Sequence, residues 1–471
     1  MDCCKQKPHF LIVGGGSAAF SAAIQAIELG ARVTVINAGL PIGGTCVNVG
    51  CVPSKTLIRA AEVIYRAQAH RFAGIRTQGR LTDFSALINQ KNQLIANLRK
   101  TKYLDILKKS PDFQLVEGQA RFVDARTVQV NGQQFKGEKI LIATGARTRI
   151  PHIAGLDKVN FLTNETAYQL THVPESLVIL GGNFIGLENA QLFARMGSRV
   201  TVVEMLPQIL PAEEPEIAKE ITRQFREEGI QIFTGAQVRS VMQTGDQIAL
   251  VMEIDNRTEK MVAKSLWIAT GRYPNSDSLN LEHTHVKRDD HGFIRVNEYL
   301  ETDDPAIFAA GDVIGDPMFV YTAAYEGKLA AINALSGEQR PRRYEPLPWV
   351  IFTDPQVAGV GMDESRARRE GFQAQAVTLP FSEVPRALAA RDTRGFIRLV
   401  RDVQTDRLLG ARIVAPEAGE LVMMLALAMT ERWTIKQLSE MLFPYLTMSE
   451  GIKLAALSFY KDVHALSCCA G

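Results

Sequence analysis

The pattern that most restricts how this chain can fold occurs twice. "HFLIVGGGSAAFSAAIQAIELGARVTVIN", residues 9–37, passes from an apolar run through a glycine turn into a small-residue stretch and on to a second apolar run. "SLVILGGNFIGLENAQLFARMGSRVTVVE", residues 176–204, repeats that order about 165 residues later. Each predicts strand, tight turn, helix and strand, a βαβ unit whose turn lets a pyrophosphate approach the backbone at the helix N-terminus. Gly14 and Gly16 shape the first turn, and Ala19 lets its helix lie close to the strand. The second keeps Gly181 and Gly186 but has Asn183 at the middle position. Two such units imply two nucleotides and an α/β fold with parallel sheets.

The residue closing each unit should meet an adenosine ribose, and these are Asn37 and Glu204. A carboxylate there accepts from ribose hydroxyls and repels a 2′-phosphate, so Glu204 favours NADH over NADPH. Asn37 is expected to bond its ribose less strongly. Beyond residue 343 the texture changes to "WVIFTDPQVAGVGM" and "GFIRLVRDVQTDRLLGARIV", then to the apolar "GELVMMLALAMTERW". Strands followed by helices predict an α+β domain, with the Met-rich helix in a core or a subunit interface.

Lys and Arg number 53 against 51 acidic residues, with no basic block, which argues against a nucleic-acid partner or an anionic membrane surface. Gly14, Gly15 and Gly16 interrupt the apolar N-terminal run, and no uninterrupted apolar stretch of about 18 residues occurs, so neither a signal peptide nor a membrane span is expected. A cytoplasmic protein follows. The six cysteines fall in three pairs, Cys3 and Cys4, Cys46 and Cys51, Cys468 and Cys469, a usage that points to redox or metal chemistry in preference to a disulfide framework.

"GGTCVNVGCVPSK", residues 43–55, holds the middle pair. Five residues of straight helix rise about 7.5 Å, beyond the reach of a disulfide, so the segment must bend or start its helix late. Pro53 suits a first helical turn, which sets Cys51 near a helix N-terminus, where the positive end of the dipole favours a thiolate.

With these residues the chain resembles the pyridine nucleotide-disulfide oxidoreductases, the flavoprotein family of glutathione reductase and dihydrolipoamide dehydrogenase. "TDDPAIFAAGD", residues 302–312, is similar to the family's second FAD fingerprint, and "ATG" at 143–145 and "ATGRYPN" at 269–275 resemble its interdomain links. The resemblance implies two Rossmann-like domains, for FAD and NAD(P), and a C-terminal α+β dimerisation domain. It divides the chain into 1–150 (FAD, first segment), 151–275 (NAD(P)), 276–342 (FAD, second segment) and 343–471 (interface, with the Cys-Cys tail). It implies that Asp312 binds the ribityl chain and that Ala19, Gly39, Gly44, Thr45, Ala120, Thr144, Gly145, Gly271 and Val320 line nucleotide sites. Lys55 would sit by the flavin and pair with Glu188; Cys46 would be the exchange thiol and Cys51 the flavin-side thiol. Phe184 stands where the family commonly has a Tyr gating the nicotinamide pocket.

Disulfide-reducing members carry a His near the C-terminus that moves a proton to the leaving thiol. In "LFPYLTMSEG" that place is held by Phe443. A dithiol without this acid suits a soft cation that accepts two thiolates and two electrons, Hg(II) above all. Together with the terminal "CCAG", the segment resembles the family's mercuric-ion-reducing members. That resemblance implies a homodimer in which Cys468 and Cys469 take Hg(II) from a thiol complex and pass it to Cys46 and Cys51 of the other subunit, past Tyr445. Cys3 and Cys4 receive no assigned role.

Overall fold

The computed structural model describes residues 7–463, so Cys3, Cys4, Cys468 and Cys469 lie outside the described residues. β1 (His9–Val13) and β2 (Arg32–Asn37) bury nearly every side chain, as the inner strands of a parallel sheet covered on both faces must. β1 pairs in parallel with β2 on one side and with Lys139–Ile142 on the other. β3 (Phe113–Glu117) extends the sheet beyond β2, and Ile307–Ala309 closes the opposite edge. A strand from far down the chain therefore completes the sheet begun by the first unit.

α1 (Ser17–Glu28) crosses between β1 and β2 and buries Ala18, Ala19, Ala22, Ala23 and Ala26. These small side chains let the helix Val320–Leu335 lie against it, and both bury their apolar faces in one core with β1 and β2. The second unit builds a four-stranded parallel sheet, in the order Gln231–Phe233, Arg199–Val203, Ser176–Leu180, Ser265–Ile268. Its core is anchored by the buried Trp267, whose ring meets Tyr168 and Phe193 edge-on at 5.7 Å. Ala146–Thr148 pairs antiparallel with Arg272–Pro274 to link the two bodies, and Thr144 Oγ1 donates to the Asn275 carbonyl at 2.7 Å.

The C-terminal part is a five-stranded antiparallel sheet in the order Trp349–Ile351, Gln356–Gly361, Leu408–Ala415, Phe396–Asp402, Ala374–Pro380. Against it lies the Met-rich helix Ala418–Thr430, which buries Leu421, Val422 and Leu425 and leaves Met423 and Leu427 exposed. A buried ionic cluster joins the parts. Arg195 bonds Glu228 (2.7 Å) and Asp354 (3.0 Å), Arg394 reaches the same Asp354 (2.8 Å), and the Tyr65 ring stacks 3.7 Å from the Arg195 guanidinium. Removing one member would strand a buried charge, so the cluster fixes the second unit's helix Phe184–Arg195 relative to the C-terminal sheet.

Candidate active site

The cysteine segment bends as its spacing requires. α2 (Gly44–Val49) carries Cys46, α3 (Cys51–Ala69) begins with Cys51, and Gly50 divides them. Asn48 ties the loop before α2 together, its Nδ2 donating to the carbonyls of Pro41 (2.8 Å) and Gly44 (2.9 Å). Asn164 Nδ2 donates to the Val49 carbonyl at 2.8 Å and fixes the end of α2. Both cysteines are partly buried free thiols.

The two thiols are electrically unequal. A hydrogen bond to Cys51, helped by burial, pushes the Cys46 thiol well above its ordinary range. The same bond lowers Cys51; burial opposes it, Lys55 assists, and Glu188 opposes again. Contact with Cys46 is therefore the largest influence lowering the Cys51 pKa, and Cys51 also opens α3 as the sequence predicts. Lys55, one turn along α3, shares a helix face with Cys51. Its Nζ donates to Glu188 Oε2 at 2.6 Å and stands 4.7 Å from the Phe352 ring centre. The largely buried Glu188 also accepts from the Phe352 backbone N–H at 3.0 Å, so a loop of the C-terminal part orients it.

Around the first glycine turn the residues fit a dinucleotide. The α1 N-terminus, at Gly16, has no side-chain cap and no acidic residue in its first turn, leaving backbone N–H groups for an anion. Gly16 and Gly44 approach so closely that a Cβ on Gly44 would lie 2.7 Å from Gly16 Cα, and Gly44 has φ +57. A Cβ on Gly14, at φ +131, would lie 2.1 Å from the Ala143 carbonyl oxygen. Asn48 Oδ1, buried beside this turn, finds no hydrogen-bond partner among the described residues. Asp312 lies just past Ile307–Ala309; burial raises its carboxyl and Arg272, 3.7 Å away, draws it part of the way back. Glu326 accepts from the Gly311 N–H (2.6 Å) and from the Tyr344 hydroxyl (2.5 Å), which sets the turn leading into Asp312.

Several expected contacts take another form. Asn37 Nδ2 donates to the Leu40 carbonyl (3.1 Å) and to Glu117 Oε2 (2.9 Å), so the loop and the neighbouring strand share its amide hydrogens. Glu204 is buried and already accepts from the backbone N–H groups of Gly182 (2.6 Å) and Leu206 (2.8 Å), bracing the second glycine turn. Asn183 caps the following helix by accepting from the Phe184 N–H at 3.0 Å. At Gly186, a Cβ would come within 1.9 Å of the Gly181 carbonyl oxygen, the close packing a third small residue permits. The Phe184 ring lies 5.5 Å from Trp349 and 6.4 Å from Phe319.

The remaining expected residues lie on several elements. Thr45 stands in α2 next to Cys46, Gly39 in the loop after β2, Ala120 is buried just beyond β3, and Val320 opens the helix Val320–Leu335. Gly145 and Gly271 flank the paired link strands. Tyr445 is half-exposed among the exposed Leu442 and Leu446. Asn48, Glu326 and Phe352 escaped the sequence reading, since single side chains or backbone groups that hold a neighbouring segment leave no periodic trace.

Comparison with known proteins accords with this arrangement. The family model "Pyridine nucleotide-disulphide oxidoreductase" matches residues 8–327, and the corresponding dimerisation domain matches 347–456. The mercuric reductase of Streptomyces lividans is 45% identical, over 98% of this chain and 98% of its own length. That of Bacillus cereus is 44% identical over 98% of this chain and 73% of its own length. Among solved structures, the HOCl-induced flavoprotein disulfide reductase RclA from Escherichia coli has a TM-score of 0.86 and 31% identity, covering 96% of this chain and 100% of its own. Among the described residues no helix is long and apolar enough to cross a membrane.

Proposed function

The chain belongs to the pyridine nucleotide-disulphide oxidoreductase family, and from that premise we propose that it reduces Hg(II) to Hg(0) with two electrons from a pyridine nucleotide. The observation that carries this is a dithiol, Cys46 and Cys51, backed by the Lys55–Glu188 pair, while the segment 441–446 holds Phe443 and no imidazole. FAD would be held in the first glycine cradle by Gly14, Gly16, Gly44, Thr45 and Asp312, and would supply two-electron transfer between nicotinamide and sulfur.

The protein's own groups do the rest. Cys51, whose pKa is lowered, ionises more readily than Cys46, whose pKa is raised; as Hg(II) binds, two sulfur–metal bonds form and the proton held on the Cys pair leaves. Lys55 balances negative charge gathering beside the thiolates, and Glu188 keeps Lys55 in place. Overall, Hg(II) and one hydride equivalent give Hg(0), oxidised nucleotide and a proton. Cys468 and Cys469, outside the described residues, would collect Hg(II) from thiol complexes and hand it to Cys46 and Cys51 of a second copy by stepwise ligand exchange. Glu204, with no basic residue between Met205 and Leu210, favours NADH. A reducing cytoplasm suits a dithiol that must remain free.

The test is nucleotide oxidation by the purified flavoprotein, with NADH and with NADPH, in excess thiol. Added HgCl2 should stimulate oxidation and release volatile mercury. A disulfide substrate that turns over while Hg(II) evolves no mercury would instead favour disulfide reduction.

A further inference from the structure

Open α/β sheets bind nucleotides past the C-terminal ends of their strands, and the strand after the first helix ordinarily ends in a carboxylate for the adenosine ribose. Here β2 ends in Asn37, and its head group faces inward. An added Cβ on Gly15 would lie 2.2 Å from Asn37 Oδ1, so that oxygen is packed against the glycine turn, while Nδ2 is shared between the Leu40 carbonyl and Glu117. The amide hydrogens are thus both engaged, and the oxygen lies against the turn.

The carboxylate missing from β2 is present on its neighbour. Asn37 and Glu117 are register partners in the parallel β2–β3 pair, so both side chains leave the same face at the C-terminal edge of the sheet. Glu117 is exposed, and Oε2 sits 2.9 Å from Asn37 Nδ2, which fixes the carboxylate at the end of β2. Its backbone is held too: the Gly118 N–H donates to the Asn37 carbonyl (2.8 Å), and Asn131 Nδ2 donates to the Glu117 carbonyl (2.9 Å). Asn37 therefore acts as a bracket, and the acceptor-only group beside the glycine turn comes from β3.

We infer that Glu117, and not Asn37, supplies the carboxylate that binds the adenosine ribose of the dinucleotide in the first glycine cradle. This rests on the FAD reading above. Hydrogen bonds to a charged acceptor are worth enough that losing the ribose hydroxyls should weaken binding roughly tenfold or more.

The experiment titrates apoprotein, by flavin fluorescence, with FAD and with an FAD analogue whose adenosine ribose lacks both hydroxyls, for the wild type and Glu117→Gln. The wild type should prefer FAD by roughly tenfold or more, and E117Q should bind the two within about threefold of each other. Retention of the wild-type preference in E117Q overturns the assignment. A wild-type apoprotein that binds neither flavin would overturn the FAD reading itself, which is a separate outcome. Because Glu117 is exposed, E117Q leaves the buried core untouched, and its circular dichroism spectrum and melting temperature verify that the fold is intact.

Discussion

Lys55 and Glu188 should move the Cys51 thiol in opposite directions when each is neutralised. Cys51 and Lys55 are i and i+4 on α3, with side chains about 6 Å apart, and at an effective dielectric of about 20 that spacing corresponds to about 2.8 kcal/mol between unit charges. Two features reduce it. A third of the Lys55 side chain is exposed, and Glu188, 2.6 Å away, cancels much of its field. About 1 kcal/mol should survive, a little under one pKa unit. Lys55→Met therefore raises the Cys51 pKa by about that amount. Glu188→Gln leaves the ammonium unopposed and lowers the Cys51 pKa by a comparable step, while the Gln oxygen can still accept from the Phe352 N–H.

The assay is the pH dependence of iodoacetamide alkylation of the reduced protein, with Cys46 and Cys51 distinguished by peptide mass spectrometry. Shifts of the same sign in both variants, or none in either, would refute the electrostatic reading of the pair. Cys46 should alkylate slowly across the neutral range in every variant, since its proton is held by contact with Cys51.

Three further outcomes are expected. Gly44→Ala forces a Cβ to 2.7 Å from Gly16 Cα at a positive φ, so the protein should purify with little flavin and lose more than about 1 kcal/mol of stability, seen by flavin absorbance and thermal melting. Replacing Cys468 and Cys469 with Ala should slow steady-state turnover when excess glutathione holds Hg(II), while stopped-flow traces of flavin reduction stay unchanged; equal turnover would remove the delivery role. Lys91, buried on the helix Phe84–Arg99 with Nζ donating to the Tyr168 carbonyl (2.5 Å), has its pKa lowered by burial to about 8. The unfolded chain keeps that proton up to about pH 10.4, so between about pH 8 and 10.4 the unfolded state binds more protons and stability rises with pH. Lys91→Met should flatten that rise in melting temperature, and an unchanged slope would show that other groups set it.

The two βαβ units, the bend between Cys46 and Cys51 and the start of a helix at Cys51 were legible in the sequence. Each is set within a few turns of chain, by apolar runs, small residues at turns and the 3.6-residue helical repeat. The likeness to a flavoprotein family extended that reading to Glu188, 133 residues from Lys55, and the fold brings the two within 2.6 Å. What tertiary structure decided was which groups remain available once neighbours compete for them. Packing turned Asn37 inward onto Leu40 and Glu117, committed Glu204 to two backbone N–H groups, and made Cys46 the proton donor to Cys51. Motif spacing states which residue types meet at a turn; the hydrogen-bond partners of a side chain depend on every element packed around it, and those elements come from distant parts of the chain.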